Sequence, residues 1–250
     1  MKKITSYFIL FLTGIFLVSA QIIPEKGVPL LKSFNPMQYH NKGKIWDIKT
    51  APNGMVYMAA DKGLLEYDRK TWNSFTGSNG FTRSVLVVND SLIYTGSDLD
   101  FGVWRKNIYQ GFDYSSLYPF QKDLQEISEE FWDVHQLNDD IIFVSSRNIY
   151  LYKNQQLVKI AAPSKFTGNF WLNDSLYFAD EKLGMFVFDD FSLRTVFEYP
   201  ENTKFEIVGM YEHAKKLIIV TRDNGLYQFV SGKLNRLEDP LSETLKIAKV

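Results

Sequence analysis

The chain contains no cysteine among its 250 residues. Disulfides, thiol catalysis and cysteine metal sites are therefore excluded. Only three histidines occur, His40, His135 and His213. They share no metal-ligand spacing with one another or with carboxylates, and each reads as an ordinary surface or strand residue. Gly-x-Ser-x-Gly, His-Glu-x-x-His and phosphate-binding glycine loops are all missing, which removes the familiar hydrolase, zinc-protease and nucleotide-site signatures. Charge of one sign is missing too. The formal net charge is -1, so no basic field holds a nucleic-acid backbone. Beyond the N-terminus no apolar run is long enough to cross a membrane. Helix signals are nearly absent, the one candidate being the acidic stretch Lys122 to Glu130.

What is present is apolar and aromatic. Apolar residues make up 45% and aromatics 16%, enough for a core and favourable to strands, where flat rings pack on a pleated surface. Residues 1–20 read as a secretory signal: Lys2 and Lys3, an apolar run from Ile4 to Val18, then Val18-Ser19-Ala20 before Gln21. An uncleaved anchor is the rival reading, and the run is short for one. An exported chain without cysteine is stabilised by burial rather than by disulfides.

A short turn followed by an apolar-aromatic step occurs five times. Its anchors are Met55, Leu92, Ile141, Leu176 and Leu217, spaced 37, 49, 35 and 41 residues apart. Before each anchor lies an apolar strand, including Ile45-Trp46-Asp47-Ile48 and Phe131-Trp132-Asp133-Val134. After each comes a third strand, usually opened by glycine, as in Gly63-Leu64-Leu65 and Gly184-Met185-Phe186, and then a weaker fourth. Four short strands joined by hairpins at this period predict an all-β fold, a β-propeller with four-stranded blades. Asn-Gly and Asn-Asp supply the positive φ that tight hairpins need.

The boundaries expected are a segment 21–42 that could supply a ring-closing outer strand from Val28 to Phe34, and a propeller over 43–250. Its blades are expected at about 43–80, 81–120, 121–163, 164–202 and 203–240. Leu245-Lys246-Ile247-Ala248 sits where a sixth inner strand would start within 241–250. The chain so read is the N-terminal part of a larger propeller. Lys122 to Glu130 falls in the longest gap and reads as a solvated charged turn, or as a loop over a ligand.

The run Tyr39…Ile45-Trp46-Asp47-Ile48…Asn53-Gly54-Met55-Val56-Tyr57…Gly63-Leu64-Leu65-Glu66-Tyr67-Asp68…Trp72 resembles the first blade of two-component-regulator propellers. Arg83-Ser84-Val85 and Thr95-Gly96-Ser97…Phe101-Gly102 resemble the second blade of that family. Such propellers are the periplasmic sensor regions of Bacteroidetes-type regulators. With no catalytic motif present, the chain reads as a module without enzymatic activity or cofactor, and the resemblance implies sensing of a small-molecule or oligosaccharide ligand. It also implies a longer product with a membrane helix and a cytoplasmic output, either a histidine kinase or a helix-turn-helix module. That product would be anchored in the inner membrane, and a homodimer is a further option.

The turn carboxylates Asp139-Asp140 and Asp189-Asp190, and the sequons Asn89-Asp90-Ser91 and Asn173-Asp174-Ser175, are explained by hairpin chemistry. What remains for recognition is Trp46, Asp47, Arg83, Trp132 and Asp133, on or beside inner strands. A tryptophan face with carboxylates and an arginine suits a sugar. Tryptophans at repeat-equivalent positions can equally be inter-blade core. The alternatives to a sensor are an exported propeller enzyme acting on polysaccharide and a protein-binding scaffold. The enzyme would cluster carboxylates or histidine at the channel mouth.

Overall fold

Among the described residues twenty strands follow one another, and each hydrogen-bonds to the next within its own group of four. The computed structural model describes residues 31–39, 43–119, 129–200, 205–238 and 240–247. The first sheet holds β1 (Ile45–Thr50), β2 (Val56–Ala60), β3 (Gly63–Tyr67) and β4 (Trp72–Phe75). The second holds β5 (Thr82–Asn89), β6 (Leu92–Ser97), β7 (Phe101–Lys106) and β8 (Phe112–Ser116). The third holds β9 (Phe131–Leu137), β10 (Asp140–Ser145), β11 (Asn148–Lys153) and β12 (Gln156–Ala161). The fourth holds β13 (Phe166–Leu172), β14 (Ser175–Asp180), β15 (Gly184–Asp189) and β16 (Ser192–Glu198). The fifth holds β17 (Ile207–His213), β18 (Lys216–Thr221), β19 (Gly225–Val230) and β20 (Lys233–Arg236). Every sheet is an antiparallel meander in chain order. The chain is a β-propeller, and these sheets are its blades.

Strand alternation explains how the blades stick together. Successive side chains point to opposite faces, so one strand can serve two interfaces. On β10, Ile141 and Phe143 pack with Tyr94, Phe101, Val103 and Phe131 of the second and third blades. Their neighbours Ile142 and Val144 pack with Leu176, Phe178, Phe186 and Phe188 of the fourth. The first interface joins Tyr57, Ala59 and Leu64 to Val85, Ile93 and Trp104. The last joins Ala179, Met185 and Phe197 to Phe205, Ile207 and Ile219. Aromatic rings dominate because flat surfaces fill the space between two sheets. Phe101 and Phe143 stack with centroids 4.2 Å apart.

The turns carry the conformations that Asn-Asp suggests in one hairpin, and reach them without Asn or Gly in another. Asn173 and Asp174 have φ of 49° and 55°, and Ala214 and Lys215 have 49° and 61°. Both pairs are the two-residue hairpins that need positive φ twice. Asn89 works differently, its Oδ1 accepting from Ser91 N–H at 2.9 Å. The glycine opening β3 has φ +118°, and a Cβ there would run into the carbonyl oxygen of Phe75.

One polar position also repeats. The last residue of each second strand is Ser97, Ser145, Asp180 or Thr221 in four blades, all buried. Ser145 Oγ accepts from Arg147 and Asn148 N–H, Thr221 Oγ1 from Asn224 N–H, and Asp180 Oδ1 from Lys182 and Leu183 N–H. These three tie the following loop, satisfying buried and part-buried amide groups there.

Three expectations need correction. The stretch expected to begin a sixth inner strand lies largely in α1 (Pro240–Ile247), which includes Leu245, Lys246 and Ile247. Pro240 presets the first helical turn, and Leu241 and Leu245 recur at helical spacing. Ser242 Oγ accepts from Leu226 N–H at 2.9 Å, docking α1 on the start of β19. Leu31 to Phe34, the described part of the expected ring-closing strand, form no strand. Most of the candidate helix Lys122 to Glu130 lies outside the described residues, as does the signal segment 1–20. Its last two residues are described and are not helical. Glu129 is buried, its carboxylate accepting from Ser145 Oγ, Asn148 Nδ2 and Tyr150 Oη at 2.5, 2.6 and 3.0 Å. Glu130 pairs with Asp98 in an isolated β-bridge. Buried hydroxyl and amide donors at the third blade draw the Glu129 carboxylate in, whereas Glu130 is exposed. Among the described residues no helix is long and apolar enough to cross a membrane.

Candidate functional site

Each of the five inner strands carries one extra residue near its start. In the first blade Ile45 pairs with Ala60 and Asp47 with Ala59, leaving Trp46 unpaired. The same slip isolates Arg83 on β5, Trp132 on β9, Thr167 on β13 and Val208 on β17. A bulge bends its strand and re-aims a side chain. The repeat therefore presents five bulge side chains at the end where the inner strands begin. Three of them are Trp46, Arg83 and Trp132.

These three meet. The Arg83 guanidinium carbon lies 4.0 Å from the ring centre of Trp46 and 4.7 Å from that of Trp132. The two indoles approach edge to face at 5.8 Å. Such faces attract a cation. Arg83 also donates to Asp98 through Nε at 2.6 Å and Nη2 at 2.9 Å. Trp46 Nε1 donates to Asp61 Oδ1 at 2.6 Å, and Asp61 Oδ2 accepts from Lys44 N–H at 2.9 Å. Trp46 is half-buried, whereas Trp132 is 43% exposed and Phe81 beside Arg83 is 48% exposed. The open apolar surface at this rim thus comes from Trp132 and Phe81, with Val208 of the fifth bulge also 40% exposed.

The two predicted aspartates continue along the inner strands. Asp47 Oδ2 accepts from Val85 N–H at 3.0 Å, tying the first blade to the second. Its Oδ1 accepts from Ile48 N–H and Lys49 Nζ. Asp133 Oδ2 accepts from Asn169 Nδ2 at 2.8 Å, tying the third blade to the fourth. Burial pushes the Asp133 carboxyl above the usual carboxylate range, and the charge of Asp47 adds to this. Asn169 and His135 pull the other way. Asn169 Oδ1 lies 2.7 Å from His135 Nε2. The imidazole lies nearly parallel to the Trp171 indole, 18° apart with centroids at 6.0 Å. Trp171 is 42% exposed.

All five candidate residues thus lie on the first three inner strands. Trp46, Arg83 and Trp132 form one cluster, and Asp47 and Asp133 lie close enough to interact electrostatically. Sequence reasoning missed Asp61, Asp98, Asn169 and Trp171, and set His135 aside. Signals existed for them. Asp61 and Asp98 each follow their bulge residue by 15 positions. Asp133-x-His135 and Asn169-x-Trp171 put their members on one face of neighbouring strands.

A separate cleft of about 310 Å³ is lined by Leu172, Asn173, Glu212, Lys215, Leu217 and Phe229, among others. It lies at the hairpin end of the fourth and fifth inner strands, far from the bulge row along those strands. Among the described residues no group of three or more His, Asp or Glu side chains is placed to hold a metal ion.

No protein-family model matches the chain, and no curated protein matches it. Solved structures do, at low identity. The extracellular domain of BT4673 from B. thetaiotaomicron, described as part of a one-component or hybrid two-component system, is 14% identical with a TM-score of 0.57. The match covers 80% of this chain and 29% of that one, so the chain spans under a third of that domain's length. Virginiamycin B lyase from Staphylococcus aureus is 11% identical, with a TM-score of 0.55 and coverage of 78% and 70%. The WD40 β-propeller domain of Doa1 is 14% identical, with a TM-score of 0.56 and coverage of 78% and 68%. At these identities the likeness is one of fold, and the chain is similar to all three as a four-stranded-blade propeller.

Proposed function

We propose that the chain is an exported, ligand-sensing propeller module of a signal-transduction protein, taking a carbohydrate-derived ligand at its channel mouth. The observation that carries this reading is the bulge row, which leaves Trp132 43% exposed beside Asp133. An exposed indole face stacks the apolar face of a sugar ring, and fixed acceptors take its hydroxyls. The resemblance of the first two blades to regulator propellers supports a sensor. So does the fold likeness to the extracellular domain of BT4673. In this reading the module works in the periplasm, as part of a longer chain with a membrane helix and a cytoplasmic output. Arg83 holds the rim rather than the ligand, because Asp98 takes two of its donors and two indoles flank it.

The test is tryptophan fluorescence of the purified chain titrated with neutral mono- and oligosaccharides. Saturable quenching that Trp132→Ala abolishes is expected. Equal binding by that variant would overturn the reading.

One observation favours the enzyme alternative. Asp47, Asp133 and His135 lie on two inner strands within electrostatic reach, with Asp133 raised in pKa, the pattern of a general acid. Polysaccharide cleavage that is lost in Asp133→Asn would replace the sensor reading.

A further inference from the structure

We propose that Asp133, Asn169 and His135 form a relay that keeps the His135 proton on Nε2, leaving Nδ1 as an open hydrogen-bond acceptor beside Trp171. Together they make a second subsite, further along the inner strands, for a hydroxyl-bearing sugar ring. The subsite rests on the carbohydrate reading above and extends it from one ring to a chain.

The tautomer follows from what each group can do. The Asp133 carboxylate accepts, so the Asn169 amide turns its Nδ2 toward it, at 2.8 Å. That orientation points Oδ1 at His135 Nε2, 2.7 Å away. An amide oxygen only accepts, so Nε2 carries the hydrogen. A neutral imidazole has one N–H, and Nδ1 is left with its lone pair. Among the described residues nothing donates to Nδ1. The relay crosses from the third blade to the fourth, so it is built into the inter-blade contact.

The surroundings say what Nδ1 would meet. Trp171 lies nearly parallel to the imidazole and is 42% exposed. An indole face beside a lone-pair acceptor suits a ring with an apolar C–H face and an equatorial hydroxyl. Asp47 and Asp133 add further acceptors, so the lining favours a neutral, donor-rich ligand. The separation comes from the strand repeat. Thr167 is the fourth-blade equivalent of Trp132, and Trp171 lies four residues further along. At strand rise this puts Trp171 about 13 Å from the rim along the strand, beside the hairpin end of β13. One sugar ring cannot touch both indoles, so an occupant that spans both subsites is a linear oligosaccharide.

The test combines side-chain nitrogen NMR with binding. Nitrogen-15 spectra of the whole chain, recorded at alkaline pH with the imidazole neutral, should show His135 with a bare Nδ1 and a protonated Nε2. Cellotriose, xylotriose and maltotriose are then titrated beside their monosaccharides. At least one trisaccharide should move the Nδ1 signal and bind more tightly than its monosaccharide. His135→Gln keeps a donor toward Asn169 but moves its acceptor, the amide oxygen, off the ring Nδ1 position, and should weaken that binding about tenfold, the worth of one hydrogen bond. Trp171→Ala should weaken it at least as much, and circular dichroism should show both variants folded like the wild type. A protonated Nδ1 overturns the relay. Binding lost in Trp132→Ala but unchanged in His135→Gln and Trp171→Ala overturns the subsite and leaves the rim reading standing. Absence of any saccharide response overturns both.

Discussion

The Arg83 guanidinium and the Asp98 carboxylate meet through two parallel hydrogen bonds, of 2.6 and 2.9 Å. Their side chains are only 9% and 18% exposed. A fork-on-fork pair of this kind is both strong and directional, and here two indoles close over it. Removing one partner leaves a charge with little water. Asp98→Ala should therefore cost about 3 kcal/mol, or roughly 6–12 °C in Tm for a domain of this size. Replacing both, as Arg83→Met with Asp98→Leu, should cost less than the single change. A thermal melt showing Asp98→Ala within about 1 kcal/mol of wild type would refute the buried-pair account.

Trp46 and Trp132 occupy equivalent bulges and should behave differently. Trp46 is half-buried and its Nε1 donates to Asp61. Trp132 is 43% exposed. Trp46→Ala should cost about 3 kcal/mol, at the low end for a tryptophan deletion. Trp132→Ala should cost about 1 kcal/mol, since much of its surface is already wet. Urea midpoints measure the difference directly, and equal losses would mean that exposure does not separate the two roles.

The repeat was legible in the sequence because its strands and turns obey local rules. Alternation marks the strands, and Asn173-Asp174 marks a hairpin whatever lies nearby. The bulges were not legible, because a register slip is a property of two strands together. Trp46 and Arg83 look like unrelated residues until Ile45 and Thr82 are paired with Ala60 and Ser97. Their partners Asp61 and Asp98 lie on loops after the second strands, where aspartate is expected for turn reasons alone. The helix α1 was missed because Leu245 and Ile247 alternate like a short strand, while the signal against it, Pro240, stands five residues earlier.

The glycines test the backbone side of the repeat. At Gly63, with φ +118°, a Cβ would run into the Phe75 carbonyl oxygen. Both the clash and the dihedral oppose any side chain. Gly63→Ala should cost about 3 kcal/mol or more, combining strain and overpacking. Gly232 has φ +78° with open space around it. Gly232→Ala meets the dihedral cost alone, about 1–2 kcal/mol. Melts of the two variants should keep that order, and a reversal would mean that the close approach at β3 is relieved by sheet movement.

Glu66 and Asp68 lie two residues apart and titrate in opposite directions. Burial raises the Glu66 carboxyl, with Lys106 and Asn73 opposing it. Its ionised form is disfavoured in the folded chain, so its contribution favours folding at low pH and is lost as pH rises through the raised value. Glu66→Gln should therefore be more stable than wild type at pH 7, with the gain vanishing below about pH 4. Asp68 is exposed, and the Thr71 N–H, the Thr71 hydroxyl and the Lys70 N–H hold its carboxyl down at about 2. That contribution is complete above the ordinary carboxylate value and is lost as pH falls toward about 2. Asp68→Asn should be less stable than wild type at pH 7 and converge on it near pH 2. Melting curves of both variants between pH 2 and 7 should diverge from wild type with opposite sign. If Glu66→Gln lowered Tm at neutral pH, the Glu66 carboxylate would be stabilised in place, and burial would not be its dominant environment.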